Sequence, residues 1–402
     1  MRTRAGWVGL ALMALASGVA VAPRAAAQGN LDVGRASPVV PLPLYHDRPE
    51  TGGFYAAMNF VMIQPRIPLG IQQIAVRGFV DVDGTITNDL FGAPTPGAFL
   101  GTGTEALNTS QLRQQRTYQP GWQIDLGWRF SDASVLSFKV EHVHSARYTA
   151  GADIIPRGFA IDPILADTFL FAPVFNFPVE YAGQAQEMAV GAPGAAYGIW
   201  NAAQSMTIEF TQRYDQWDLD YRVPIYQDDV VRSSVIVGLR FAWIWERFKW
   251  RTVSADFQGV SDGRFTAIYS NIVSNRMYGP YLGCQHEWYL GRGFFLGVQA
   301  EGAALYDIVK ERAYYERGDR TTKAKKAVTE YKFTPELAGQ VNLTWYPFEG
   351  CQVRLGWDAM AFFNTAYAEV PVSFNFGQID PDWKSKAIRF YDGFRVGIGF
   401  TF

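Results

Sequence analysis

The chain has 402 residues, only two of them cysteine and four of them histidine, and beyond residue 27 it lacks any long apolar run. No stretch there approaches the ~18 uninterrupted apolar residues of a membrane helix, and a mean hydropathy of -0.06 would on its own suggest a water-soluble protein. Charged residues make up 18% and the net charge is -2, so the basic footprint of a nucleic-acid-binding protein is missing. Cys284 falls mid-strand on an apolar face and Cys351 at a turn. They read as two isolated small residues, although an exported location would permit a disulfide. The scarcity of histidine restricts acid–base chemistry to His46, His142, His144 and His286. His142 and His144 share a strand face with Val140 and could serve as bases, but no serine or aspartate arrangement beside them resembles that of a protease or phospholipase. No catalytic residue, cofactor or metal site is therefore expected. Asp81, Asp83, Asn88 and Asp89 depart from the twelve-residue calcium-loop spacing.

Aromatic residues and glycine are abundant: 12 Trp, 20 Tyr, 29 Phe and 39 Gly. Their order carries more information than their number. Near the C-terminus Phe394, Val396, Ile398, Phe400 and Phe402 alternate with Arg395, Gly397, Gly399 and Thr401, which places one set on each face of a strand. An aromatic terminal residue on an apolar face is expected to act as the signal read by the barrel assembly machinery. At the other end, Arg2 and Arg4 precede an apolar run from Gly6 to Ala22 and a small-residue site at Ala25, Ala26 and Ala27, the pattern of a cleaved secretory signal peptide. The expected organisation is a signal peptide over 1–27, a proline-containing periplasmic leader over 28–52, and one barrel domain over 53–402.

Ten segments show strand alternation: 53–64, 119–131, 134–148, 206–223, 229–250, 276–290, 293–309, 328–346, 351–363 and 389–402. In the second, Trp122, Ile124, Leu126 and Trp128 oppose Gln123, Asp125, Gly127 and Arg129. In the fourth the apolar parity changes between Phe210 and Trp217, which predicts a bulge. A soluble sandwich would alternate too, so three further features decide. The segments are long enough for the ~9–11 tilted residues a bilayer needs. Trp128, Trp243, Trp245, Trp250, Trp288, Tyr289, Trp345, Tyr346 and Trp357 gather towards strand ends, as interfacial girdles do. Connections alternate between short ones, such as 131–133 and 291–292, and long ones at 65–118, 149–205, 251–275, 310–327 and 364–388. The prediction is an all-β, antiparallel transmembrane barrel of about ten strands with short periplasmic turns and long external loops. Twelve is the alternative, if Gln72 to Ile86 pairs as a hairpin.

Several stretches, Asn275 to Cys284 (NRMYGPYLGC), Tyr197 to Asn201 (YGIWN), Glu246 to Ser254 (ERFKWRTVS) and Tyr391 to Phe402 (YDGFRVGIGFTF), resemble the Legionella-type pore-forming outer-membrane proteins. The resemblance runs from about Gly53 to Phe402 and implies a porin-like barrel in a bacterial outer membrane with no catalytic residues to carry over.

On the polar faces, Asp125, Arg129, Lys139, Glu141, Arg232, Arg240, Glu246, Glu301, Arg354, Asp358 and Arg395 are the candidates to line a lumen, with Glu209, Arg213, Asp218, Asp220, Arg222 and Glu287 as further inward candidates. Mixed charge suits passive movement of ions or small hydrophilic solutes. It equally suits a structural network filling a barrel this narrow, and the alternative function is a closed barrel whose loops bind an external partner. Phe169, Phe171, Phe175 and Phe177 crowd the second external loop and could form a constriction. The stretch from Lys310 to Lys326 is basic, a solvated charge run or a contact for anionic headgroups. Expected partners are outer-membrane lipid, the assembly machinery and small solutes. Homo-oligomerisation is left open, with Ala359 and Ala361 as a small-residue wall that could serve it.

Overall fold

The computed structural model describes residues 53–65, 69–81, 91–93, 98–113, 117–153, 165–176, 181, 186–187, 196–197, 199–201, 203–228, 230–254, 261–348, 350–368, 370–379 and 387–401. The signal peptide, the leader and Phe402 lie outside them. In chain order the strands are β1 (Gly53–Pro65), β2 (Gln73–Asp81), β3 (Ala98–Asn108), β4 (Gln119–Arg129), β5 (Val135–Asp153), β6 (Leu165–Phe171), β7 (Gln186–Glu187), β8 (Ala196–Tyr197), β9 (Ser205–Gln227), β10 (Val231–Val253), β11 (Thr266–Gly291), β12 (Phe294–Arg317), β13 (Lys323–Phe348), β14 (Cys351–Thr365) and β15 (Ala387–Thr401). A single turn of helix, α1 (Ser110–Arg113), follows β3.

Ten strands close into one antiparallel barrel in the order β1-β15-β14-β13-β12-β11-β10-β9-β5-β4. Closure pairs every strand on both sides across the lower, bilayer-crossing band, which is the condition for a sheet to cross a bilayer. Period-2 alternation then divides each strand between lipid and lumen. On β4, Ile124, Leu126 and Trp128 are exposed outward while Gln123 and Asp125 are buried inward. On β15 the outward set is Val396, Ile398 and Phe400, opposite inward Arg395. Cys284 is exposed on the outer wall, Cys351 is buried, and both are free.

The walls differ in height. β9 to β13 have 23 to 26 residues each, whereas β14 and β15 have 15, β1 has 13 and β4 has 11. A strand rises about 3.3 Å per residue, so about ten tilted residues cross the bilayer, and the long strands project beyond it on the external side. This projection overturns two expectations. The region 310–327 is not a loop: β12 and β13 run through it and turn only over 318–322. Likewise 251–253 and 266–275 are strand, the outer ends of β10 and β11.

The parity change in β9 is not a bulge either. Its pairing with β10 is continuous from Ser205 to Val223, and Met206, Ile208, Phe210, Tyr214, Asp218 and Asp220 are all buried on one inward face. The chemistry of the two faces swaps instead. Within the bilayer the outer face must be apolar. Above it the outer face meets water and the inner face packs against folded loops. The same geometry turns Glu209 and Arg213 outward and puts Trp250 inside rather than in the girdle, while at the short-turn end parity beside outward Trp345 puts Tyr346 inside. The described part of the Gln72 to Ile86 stretch adds no barrel strand: β2 joins β3 and β6 in a separate three-stranded sheet, and residues 82–86 lie outside the described residues.

Candidate functional site

The barrel interior has three storeys. The lowest, at the short-turn end, is a cavity of about 140 Å³ bordered at its mouth by Ala133, Gln227 and Thr401. Seven basic and six acidic side chains line it, so their charges nearly cancel. Of the candidates from the sequence, Asp125, Arg129, Lys139, Glu141, Arg232, Arg240, Glu301, Arg354, Asp358 and Arg395 border this cavity. Glu246 does not, and sits higher in the barrel.

Arg240 organises the cavity wall. Its Nε and Nη2 donate to the two carboxylate oxygens of Asp218 at 2.8 and 2.9 Å, Nη2 also donates to Glu301 at 2.5 Å, and Nη1 donates to Glu336 at 2.7 Å. Its guanidinium lies 4.4 Å from the centre of the Tyr281 ring. That ring lies over Gly238, its register partner on β10, where any Cβ would collide with it. The Tyr281 hydroxyl donates to Asp220 at 3.1 Å, and Asp220 also accepts from Ser137 at 2.6 Å and pairs with Lys139 at 2.8 Å. Arg395 donates to Asp358 at 2.6 Å, with Glu141 at 3.9 Å. Arg129, Arg232 and Arg354 stand nearest the periplasmic mouth, with Glu287 3.8 Å from Arg232 and Asp125 3.8 Å from Arg354. Buried charges are tolerable only when paired in this way.

The middle storey is apolar. Val61, Ile63, Val143, Tyr214, Ile244, Met277, Leu305, Met360, Phe362 and Tyr391 form one buried cluster across the barrel. Tyr214 and Tyr391 stack with ring centres 5.0 Å apart. Beside this layer Arg389 forms a bidentate pair with Glu246, one arm of it at 2.9 Å, and also donates to the Ala366 carbonyl at 2.5 Å. Arg389 was absent from the lumen candidates although it shares the parity of Arg395, and that parity could have identified it.

The external storey is a second apolar core shared between wall and loops. The wall supplies Tyr148, Phe210, Phe248, Trp250, Tyr269 and Tyr315, and the loops supply Leu107, Leu170, Ile199, Trp200, Val372 and Phe376. Trp200 meets Trp250 at 4.3 Å and Phe376 at 5.1 Å. Paired amide bonds hold the loops in place. The Gln72 side chain donates to Val372 O at 2.7 Å and accepts from Val372 N at 3.1 Å. The Asn275 side chain does the same with Ala366, at 3.0 and 2.9 Å. Phe175 N donates to Phe374 O at 2.9 Å and Phe376 N donates to Phe175 O at 3.1 Å, joining the second external loop to the last.

Of the loop phenylalanines, Phe175 is 52% exposed and Phe171 is half-buried. The side chain of Phe169 and the whole of Phe177 lie outside the described residues. The buried residues of this segment are Leu170, Ala172 and Val174. Nothing in periodicity singled out Trp200, whose role depends on loops meeting across the barrel. His142 and His144 face outward, and His142 Nδ1 lies 2.5 Å from Asp215 Oδ1, with Arg213 also on Asp215 at 3.0 Å. Among the described residues no cluster of His, Cys, Asp and Glu could hold a metal ion.

The model of one protein family, described as Legionella pneumophila major outer membrane protein precursor, matches residues 102–383. No curated protein sequence matches the chain. Among solved structures, the outer membrane protease OmpT from Escherichia coli aligns at 9% identity with a TM-score of 0.41, covering 87% of this chain and 97% of that one. A Pseudomonas aeruginosa FadL homologue aligns at 8% identity and TM-score 0.23, covering 90% and 92%. An anion-selective porin from Comamonas acidovorans aligns at 10% identity and TM-score 0.18, covering 88% and 98%.

Proposed function

The chain belongs to the family of the Legionella pneumophila major outer membrane protein precursor, and from that premise we propose that it is an outer-membrane pore closed at rest, passing ions or small hydrophilic solutes passively once its external loop core is displaced and the apolar layer that the loops cover parts. One observation carries this reading. A charged cavity of about 140 Å³ reaches the periplasmic end and stops beneath an apolar layer and a packed loop core. A barrel that needed only filling would gain more from apolar side chains than from a buried ion-pair network, which at best offsets its own desolvation. Both charge signs beside retained space suit a lumen that hydrates. The reading involves no covalent chemistry, and the His142–Asp215 pair stands on the outer wall.

The completeness of the loop core supports a second reading, a permanently closed barrel that acts through its external surface. Single-channel recording in a planar bilayer separates the two. The refolded wild-type chain is expected to be silent or to open rarely, while Trp200→Ala and a deletion of residues 162–186 give discrete conductance steps. Silence from both variants, each verified as folded, would leave the closed barrel.

A further inference from the structure

The tall wall changes chemistry sharply where it leaves the bilayer. Along the outer face of β10 the order towards the external end is Val235, Val237, Leu239, Phe241, Trp243, Trp245, then Arg247, Lys249 and Arg251. Four lipid-facing rungs and two of tryptophan are followed by three of cation. Same-face residues are about 6.6 Å apart along a strand, which tilt reduces to about 5 Å along the membrane normal. The apolar-to-tryptophan part then spans about 25 Å, the height of a barrel's lipid-facing band.

Neighbouring strands extend the cationic zone sideways. Register places Lys310 of β12 on the rung of Trp245, Arg312 on that of Arg247, and Lys325 of β13 on that of Lys249. Acidic residues offset only part of this charge. Glu209 is occupied by Arg147 and Arg247, and Glu316 stands opposite Lys323 at the outermost rung. Among the described residues Lys249, Arg251, Lys310, Arg312 and Lys325 form no ion pair, and Arg251, Arg312 and Lys325 are exposed. The short wall differs: among the described residues of β14, β15 and β1, no Lys or Arg points outward, and the rung of Ala359 carries Asp392 and Gln64 instead.

From this placement we infer that the outer face of β10 to β13, directly above the tryptophan rungs, binds the phosphate groups of an anionic glycolipid in the external leaflet. Five cations with no ion-pair partner among the described residues occupy rungs from the girdle to about 15 Å beyond it, the depth at which a lipid anchored beside Leu239 and Phe241 carries its headgroup. Anionic headgroups strengthen the binding of each nearby Lys or Arg about fivefold, and Arg adds bidentate phosphate geometry. The occupant is a lipid rather than a free anion because the cations continue a lipid-facing wall and line no concavity. The girdle fixes the acyl part while the cations meet the phosphates.

The test uses the full chain refolded in detergent and incubated with a diphosphorylated glucosamine-based glycolipid, with its dephosphorylated form in parallel. Bound lipid is counted by native mass spectrometry. The wild type is expected to retain the phosphorylated lipid and not the dephosphorylated one. Lys249→Gln, Arg251→Gln, Lys310→Gln and Arg312→Gln together should weaken retention several-hundredfold, while Lys249→Arg with Lys310→Arg preserves it. If the quadruple variant fails to fold, Lys249→Gln with Lys310→Gln is expected to lose about twenty-five-fold. Wild-type retention by a variant that still migrates as a folded barrel overturns the proposal, as does equal binding of the dephosphorylated lipid. Full displacement by inorganic phosphate would reveal a free-anion site and overturn it too.

Discussion

The side chains of Arg389 and Glu246 are 1% and 2% exposed, and each is the other's counterion. Removing one partner leaves a buried charge with nothing to balance it, so Arg389→Ala should destabilise the barrel by about 3–5 kcal/mol, whereas Arg389→Met combined with Glu246→Leu should cost far less. Guanidinium unfolding of the refolded chain checks both. Equal losses from the single and double variants would show that packing, not charge, holds the site. Strand parity was sufficient to turn Glu246 and Arg395 inward; Arg389 shares the parity of Arg395, but the lumen candidates left it out. Parity could not reveal that Arg240 collects three carboxylates, because Asp218, Glu301 and Glu336 come from three other strands and meet only after closure.

Elements that outrun the bilayer behave differently at their two ends. Alternation located all ten strands, yet it left the outer ends of β12 and β13 as loop because their outward residues turn from apolar to charged at the girdle. At the tip of this hairpin Arg317 donates to Asp319 at 2.9 Å and holds its carboxyl well below the ordinary carboxylate range. A folded value below the unfolded one gives stability that is complete above the ordinary carboxylate pKa and fades as pH falls through the lowered folded value. Asp319 is only half-buried at a hairpin tip, so the effect is local and small. Tryptic cleavage at the tip is expected to stay unchanged from about pH 7 to 5, the lower figure still above the ordinary carboxylate pKa, and to rise in Asp319→Asn. A rise in the wild type over that interval would contradict this account. The loops, by contrast, depend on burial. Trp200→Ala removes an indole packed on Trp250 and Phe376, and should cost about 3–5 kcal/mol, visible as earlier loss of loop protection in hydrogen exchange while the lipid-facing strands stay protected.

For the whole molecule, opening the loop core and parting the apolar layer beneath it would expose a lumen whose charges nearly balance, with Arg129, Arg232 and Arg354 at its periplasmic mouth. Conductance steps in the Trp200→Ala background should therefore favour anions modestly, and Arg129→Gln with Arg232→Gln and Arg354→Gln should abolish or reverse that preference. Reversal potentials in a salt gradient measure this. An unchanged preference would mean that selectivity resides elsewhere in the channel.

Local order along the chain was enough to establish an outer-membrane barrel and its ten strands. The reason is that a strand in lipid obeys a rule with a period of two, and each residue declares its side without reference to any other. Folding decided the height of each wall, the packing of three loops into an apolar core, the apolar layer beneath it and the cationic face above the girdle. These arise where residues distant in sequence share one space, on both sides of a bilayer boundary that no single strand marks.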